Sequence, residues 1–440
     1  MAMTPRELTV TLLDEYELDG KYVNLSLSSH RLDSLSREDR ALVTALLYTT
    51  VEHKLTYDYY ISSLAKRRCE DIEIHTLNIL RLGCAQIVDM DRIADHVAVN
   101  ETVKMGRNRG ERGFINGVLR SLIRLRDTDG LPMPERRRNP ARYLSVKYSY
   151  PIGIVRHFIT VFGEDGAEEI LHTYNTEKYT DLTVNLVKTD RAAYLDMLAA
   201  AGITATPSAL SRLSVHLDGT YNPTLLPGFS DGLFFVQDAS CAVSAEVLDP
   251  SGGDAILDLC ACPGGKTFAA AILSGDGGSI TSLDLHESKL SLITDGRDRL
   301  GFTSIRVMQN DATAPRVEFF DKFDRIICDV PCSGLGVLGK KADLRYNAEA
   351  SMDHLPELQY SILTAAAKYL KVGGTLVYST CTLNPRENGE NVTRFLNENP
   401  NFRAVDFTVG GISSTDGMLT LLPHVHHTDG FFIAKLTRLD

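Results

Sequence analysis

Apolar residues recur every three or four positions through the first third of the chain. The segments LTVTLLDEYEL (8–18), REDRALVTALLYTTVEHKL (37–55), EIHTLNILRLGCAQIV (73–88) and HVAVNETVKM (96–105) each place them on one helical face. Four amphipathic helices in a row, with almost no proline between them, predict a helical bundle over residues 1–130. LPMPERRRNP (131–140) breaks both periodicities and opens a linker over 131–142, where Arg136, Arg137 and Arg138 either touch RNA or, by default, keep the linker solvated. From 143 to 235 the signals mix. IVRHFITVFG reads as a helix ending at Gly163, DLTVNLVKT as a strand, and RAAYLDMLAAAG as a helix closed by Gly202, together a small α+β module.

Beyond residue 236 the period changes again. Short β-branched runs, AILDL, SITSLDL, SIRVM, RIICDV, GTLVYST and FFIAKLT, alternate with helical stretches. That alternation predicts a mainly parallel sheet covered on both faces, a Rossmann-like α/β domain over 236–440. Functional groups in such a sheet sit at the carboxyl ends of the strands. Asp258, Asp284, Asp311, Asp329, Cys332 and Cys381 all fall there.

Composition narrows the picture. The chain has 440 residues and a net charge of −11, so global charge announces no nucleic-acid binder. The first 142 residues are near neutral, with roughly 22 basic and 21 acidic groups. Within them Lys104, Arg107, Arg109, Arg112, Arg120, Arg124 and Arg126 face a single Glu111. Residues 107–113 read as a Gly- and Arg-rich loop before a helix beginning near Gly113. The cluster reads about equally well as a solvated face and as a phosphate-binding patch. No apolar run is long enough to cross a membrane and no secretory pattern opens the chain, so a cytoplasmic protein is expected. Its eight cysteines are then expected to be reduced. Cys260-x-Cys262 and Cys328-x3-Cys332 stand at a strand end and a Pro-Cys turn, poor contexts for zinc, and no metal is expected.

The densest chemistry lies in AILDLCACPGGK (255–266), an apolar strand running into a Pro-Gly-Gly turn and a helix. Such corners bind nucleotides. A P-loop needs glycine where Cys260 stands, and the dinucleotide pattern G-x-G-x-x-G is absent. S-adenosylmethionine needs only a glycine turn and a ribose acid, which Asp284 supplies at the expected distance; a plain αβ turn competes closely with it. Two strand-end cysteines beside this corner suit a different task. Thiolate addition to carbon 6 of a cytosine makes carbon 5 nucleophilic enough to take a methyl group. That chemistry asks for a thiolate, an acid near N3 and the exocyclic amine, and a group that assists release. Asp329, Cys332 and Cys381 match these needs, but chemistry alone does not rank the two cysteines.

AVNETVKM (98–105) and FINGVLR (114–120) resemble the NusB-like RNA-binding domain. DLCACPGGKT, DVPCSG, KKADLRY (340–346), YSTCTLNPREN and DGFFIAKL resemble, in order and spacing, the motifs of RNA 5-methylcytosine methyltransferases. The whole chain is thereby similar to the bacterial ribosomal-RNA cytosine-5 methyltransferases of the RsmB, Sun or Fmu type. The resemblance implies S-adenosylmethionine as cofactor, small-subunit ribosomal RNA as partner, and carbon 5 of a cytosine as acceptor. By motif, Cys260, Ala261, Cys262, Pro263, Gly264, Gly265 and Lys266 would hold the cofactor's methionine end. Asp284 would take its ribose, and Asp311 would lie beside its adenine. Asp329 would contact both cytosine and cofactor, with Lys266 beside it. Cys381 would be the nucleophile and Cys332 the release group. Lys104, Arg107, Arg109, Arg112, Lys340, Lys341 and Arg345 are the expected RNA contacts. A monomer is expected. Methylation of another RNA such as tRNA, of DNA or of protein, and an idle RNA-binding assembly protein, remain as alternatives. YSYPIGIV departs from the family's Ser-His-Pro-x-Trp pattern at Tyr150 and Gly153, and the chain has no tryptophan, so another group must fill that space.

Overall fold

The structure, a computed structural model, describes residues 3–20, 23, 27, 32, 35–342 and 344–440. Contacts divide the chain into two units, residues 1–172 with 341–347, and 173–340 with 348–440. Asp343 of the KKADLRY segment lies outside the described residues.

The first unit is helical. Pro5–Asp19 opens with a capping box in which Thr4 and Glu7 satisfy each other's backbone N–H groups. Arg37–Glu52, Lys54–Ala65, Ile74–Val88, Asp95–Lys104, Arg109–Asp127 and Pro140–Tyr148 follow. Ile74–Val88 is the centre of the bundle, with every residue from Thr76 to Ile87 buried. Its one guanidinium, Arg81, is held by both oxygens of Asp58 at 2.7 and 2.8 Å and by Glu17 at 3.0 Å. The expected loop at 107–113 is instead helix from Arg109, because the Asn108 side chain caps it by accepting from Glu111 N at 3.0 Å. The 131–139 stretch is a strap. Leu131 and Met133 pack on the bundle core, and Arg136 pairs with Glu164 and Glu168 at 2.8 and 2.7 Å rather than staying solvated.

Arg345 overturns an expectation. It is 1 % exposed, lies over the Tyr150 ring at 4.2 Å and donates to the Glu52 carbonyl at 3.1 Å. It is therefore a core residue of this unit and not an RNA contact. The same pairing accounts for the departure at Tyr150. A guanidinium stacked on a fully buried tyrosine occupies the interior there.

The second unit contains two sheets. Tyr179–Val184 (β1), Ala205–Pro207 (β2), Ser214–Asp218 (β3) and Phe234–Val236 (β4) form an antiparallel sheet in the order β2-β3-β1-β4. The helix Arg191–Ala200 packs on it through Tyr194 and Leu198. The larger sheet uses Ala255–Asp258 (β5), Ser279–Asp284 (β6), Ile305–Gln309 (β7), Phe323–Asp329 (β8), Leu370–Thr380 (β9), Phe402–Ala404 (β10) and, past the short pair Thr408–Val409 (β11) and Ile412–Ser413 (β12), Met418–Leu421 (β13) and Phe431–Arg438 (β14). Its order is β10-β14-β9-β8-β5-β6-β7. β5 to β9 are parallel, whereas β14 joins β9 antiparallel, so the sheet is mixed. One face is covered by helices Ala239–Leu248, Gly265–Leu273 and Leu290–Leu300, the other by Leu355–Ala367 and Gly389–Glu398. The chain runs from β5 outward through β6 and β7, then returns to place β8 on the other side of β5. That reversal opens a crevice at the carboxyl ends of β5 and β8.

Candidate active site

Every strand bordering the reversal ends in a polar residue. β5 ends in Asp258, β6 in Asp284, β8 in Asp329, and β9 runs into Cys381. The glycine turn after β5 is shaped by contacts to its neighbours. Ala261 N donates to the Leu283 carbonyl at 2.8 Å, and Cys262 N donates to Asp284 Oδ2 at 3.2 Å. Gly264 sits at φ +112°, where a Cβ would come within 2.4 Å of the Phe268 ring. Only glycine fits that close approach. The helix Gly265–Leu273 starts immediately after, so its unpaired first N–H groups open at this corner. Asp284 also accepts from His286 N at 3.0 Å. Asp311 is exposed just past β7 and accepts from Thr313 N and Oγ1 at 2.9 and 2.7 Å, bonds that hold its carboxyl below the usual range.

Lys266 reaches back from that helix to Asp329. Its Nζ lies 2.6 Å from Asp329 Oδ2 and 5.1 Å from the centre of the Phe431 ring. Ser379 of β9 donates to the other oxygen, Oδ1, at 2.7 Å. Burial pulls the lysine's proton affinity down, but the Asp329 carboxylate and the nearby Cys241 and Cys381 sulfurs hold it above the ordinary lysine range. Lys266 is thus an ammonium with a fixed partner, not a surface charge.

The two cysteines meet. Cys332 Sγ and Cys381 Sγ lie 3.2 Å apart although 49 residues separate them. Adjacent parallel strands deliver them, with Asp329 opposite Ser379 in register. Gly336 holds the approach tight. It donates to the Cys381 carbonyl at 2.9 Å, and a Cβ there would strike the Gly430 oxygen at 1.8 Å. The hydrogen bond with Cys381, then burial, then the charge of Glu387 push the Cys332 thiol well above its ordinary pKa.

Glu387 is the organising group that sequence reasoning missed. It is fully buried and accepts from Ser333 N at 2.9 Å, Ser333 Oγ at 2.5 Å, Gln359 Nε2 at 2.8 Å and Asn384 Nδ2 at 2.9 Å. Ser333 follows Cys332, and its Oγ lies 2.7 Å from Thr382 Oγ1, next to Cys381. One carboxylate therefore ties both cysteine loops together, its burial offset by four donors. Its place in NPREN was visible, but nothing local distinguishes it from a surface glutamate.

Lys340 does not stand free. Its Nζ is 2.6 Å from Asp238 and 3.0 Å from Asp429, and 4.1 Å from the centre of the Tyr179 ring. Two largely buried carboxylates claim that ammonium, so Lys340 is not a free cation. Lys341 is exposed. In the first unit Lys104 pairs with Glu101 at 2.5 Å, and Arg107 pairs with Glu73 and Glu111. Arg112 is exposed and donates to the Gly106 carbonyl at 2.7 Å, while Arg109 is exposed.

Asp258 carries a titration that can be read. Burial pushes it up to about 7 from 3.8, against the restraining bond from Thr267 Oγ1 at 2.7 Å. The folded state then holds an extra proton between roughly pH 4 and 7, so this group's contribution to stability falls as pH rises through that window. Asp258→Asn removes the titration. Urea unfolding at pH 5 and 7.5 should show the variant gaining on the wild type at the higher pH; an unchanging difference would refute the shift.

Among the described residues no helix is long and apolar enough to cross a membrane. The chain matches the family described as 16S rRNA methyltransferase RsmB/F over residues 245–437. It matches the NusB family over 3–124, and the ferredoxin-like domain of RsmF/B-like methyltransferases over 150–223. It is 36 % identical over 446 residues to the probable ribosomal RNA small subunit methyltransferase B of Bacillus subtilis (strain 168), covering 98 % of each chain. The crystal structure of PH0851 superposes with a TM-score of 0.78 at 23 % identity, over all of both chains. That of NSun6 from Pyrococcus horikoshii with SFG superposes at 0.61 and 21 % identity, over 67 % of this chain and 99 % of the other. With a strand-end crevice of the methyltransferase kind and near full-length identity to such a relative, this chain belongs to the RsmB family of ribosomal RNA small subunit methyltransferases.

Proposed function

We propose that the protein transfers the methyl group of S-adenosylmethionine to carbon 5 of a cytosine in small-subunit ribosomal RNA, through a covalent Cys381–cytosine adduct. The observation that carries this reading is the meeting of Cys332 and Cys381 at 3.2 Å, beside the Asp329–Lys266 pair.

The crevice suits the cofactor. Asp258 Oδ1 and Asn310 Nδ2 are buried polar atoms without a hydrogen-bond partner within the protein; Asp258 ends β5 beside the reversal, and Asn310 lies just past the carboxyl end of β7. Unsatisfied groups of this kind mark places where a ligand completes the bonding. Cys260 to Lys266 would hold the methionine end, Asp284 the ribose, and Asn310 with Asp311 the adenine side. NSun6, on a related fold, was crystallised with SFG, an analogue of S-adenosylmethionine. The cofactor supplies an electrophilic methyl on a sulfonium.

The side chains divide the remaining work. The Cys381 thiolate forms the bond to C6, the C5–C6 pair moves to C4–C5, and the C4–N3 pair moves to N3, which takes up a proton from water. Asp329 accepts from the exocyclic amine and from that new N3–H. Carbon 5, made nucleophilic by the Cys381 bond, would then take the methyl that the bound cofactor would supply, the cofactor leaving with the electrons of the broken bond. Loss of the C5 proton to water restores the C5–C6 double bond and expels Cys381 as thiolate, and N3 returns its proton to water. Cys332 stands where that expulsion occurs and assists it. The charges favour this order of roles. Cys381 shares its surroundings with the Lys266 ammonium, which supports a thiolate, whereas Cys332 faces the buried Glu387 carboxylate, which opposes one.

Small-subunit RNA transcribed with 5-tritiated cytidine tests the reaction. Tritium should appear in water in step with methyl transfer, and digestion should yield 5-methylcytidine. Methyl transfer without tritium release would place the methyl on another atom and overturn the proposal.

A further inference from the structure

The first unit contains an open groove of about 1080 Å³ between helix Lys54–Ala65, the turn that follows it, and the segment from Asn139 to Arg156. Five cations line it: Lys66, Arg67, Arg68, Arg142 and Arg156, all exposed. Two carboxylates line it as well, and both are already engaged. Asp58 is bound by the buried Arg81 through both oxygens, and Glu70 is paired with Arg68 at 2.8 Å. Among the described residues no carboxylate pairs with Lys66, Arg67, Arg142 or Arg156, so the groove keeps a positive surplus.

Two of these guanidiniums are supported by rings. Arg142 lies 5.8 Å from the centre of Tyr59, and Arg67 lies 5.9 Å from the centre of Phe114. A planar cation resting on an aromatic face is oriented without being neutralised, and its N–H fork stays available. Three members of the conspicuous sequence cluster, Lys104, Arg107 and Arg126, are the reverse case. Arg107 shares two carboxylates, Glu73 and Glu111, which leaves that trio net negative. Lys104 is cancelled by Glu101, and Arg126 by Asp95 and Asp127. A polyanion gains affinity from cations whose charge is not already spent, because only those release counterions from the phosphates when they bind.

We propose that the Lys66–Arg142–Arg156 groove docks the phosphate backbone of the RNA substrate, and that the carboxylate-paired cations Lys104, Arg107 and Arg126 contribute little. This rests on the reading of the protein as a ribosomal RNA methyltransferase. RNA is favoured over an acidic protein partner because the exposed lining is five cations with Ser63 and Glu70, while the apolar lining residues Leu55, Tyr59, Val146 and Ile152 are half-buried or buried and offer no exposed anchor of the kind that dominates protein interfaces.

The test is equilibrium binding of a small-subunit RNA transcript across a salt series, with full-length wild type, Arg142→Gln/Arg156→Gln and Lys104→Gln/Arg107→Gln. Urea midpoints equal to wild type establish that the variants are folded. The groove variant should lose about tenfold in affinity near 0.1 M salt, and its log–log salt slope should fall by roughly 1.4 to 1.8, the value for two lost phosphate contacts. The cluster variant should shift the slope by less than about 0.5. Unchanged affinity and slope in the groove variant would overturn the proposal and leave the groove to an acidic protein surface. A larger effect in the cluster variant, or lost affinity at constant slope, would overturn it too. Binding is read without methyl transfer. A wild type that binds through the groove but methylates no ribosomal RNA would sink the functional reading and leave this inference standing.

Discussion

Cys332→Ala, incubated with ribosomal RNA and S-adenosylmethionine, should migrate on a denaturing gel as a slower, nuclease-sensitive species, while Cys381→Ala should show no such band and no methyl transfer. The expectation follows from what each thiol does to the electron count at the ring in the proposed mechanism. Without Cys381 no bond forms at C6, carbon 5 stays a poor nucleophile, and the rate should drop by at least about 10³-fold, or ~4 kcal/mol of barrier. Without Cys332 the addition and methyl transfer proceed, but expulsion of the Cys381 thiolate loses its nearby helper, so the adduct persists. Removing Cys332 also takes away the sulfur that lies 3.2 Å from Cys381, leaving the nucleophile free to address the base. The reverse gel pattern would make Cys332 the attacking group. Intact methyl transfer in both variants, with no adduct in either, would mean that the reaction does not use cysteine addition.

Asp329→Ala should lose both activity and stability. Lys266 is almost wholly buried, and Asp329 is the carboxylate paired with it. Truncating one member of such a pair leaves an uncompensated charge inside the protein and costs about 3–5 kcal/mol. Ser379 Oγ would also lose its acceptor. The pH dependence separates this cause from simple loss of packing. In the wild type Lys266 is held above its unfolded pKa, so its stabilisation is complete below about pH 10 and is lost only as pH rises through the folded value. In the variant, burial is opposed only by the Cys241 and Cys381 sulfurs, and the folded pKa falls. The unfolded state then binds more protons, so stability rises with pH and the deficit shrinks from pH 6 to 9. The double change Asp329→Ala/Lys266→Met should recover most of the stability, because an apolar pair replaces an ionic one, but no activity. Urea unfolding of the three proteins checks both points. A single variant as stable as wild type, or a deficit independent of pH, would show that the ion pair is not what holds this corner.

Much of the architecture was legible along the chain because periodicity is a local property. A helix buries one face using residues three and four apart, so the bundle helices could be read from their own segments, as could the strands AILDL, RIICDV and GTLVYST. The topology rule for open sheets then located Asp329, Cys332 and Cys381 at strand ends before any contact was seen. Boundaries set by a single side chain were less legible. The cap by Asn108 moved a helix start four residues ahead of its expected place near Gly113.

Charge could not be read in the same way. A cationic side chain is available to a phosphate only if no carboxylate has claimed it, and the claimants come from distant parts of the chain. Arg107 finds Glu73, Arg126 finds Asp95, Lys340 finds Asp238, and Arg345 disappears under Tyr150. Glu387 looks like any glutamate until Ser333, Gln359 and Asn384 converge on it. The groove at Lys66, Arg142 and Arg156 joins residues up to 90 positions apart, and the short run Lys66-Arg67-Arg68 gives no sign of the distant arginines that complete it. The sequence by itself determined the elements, their order and the strand ends where chemistry gathers, because short-range periodicity and turn residues encode them. Only the tertiary structure decided which charges are spent and which are free, because pairing and burial depend on long-range neighbours that no local pattern specifies.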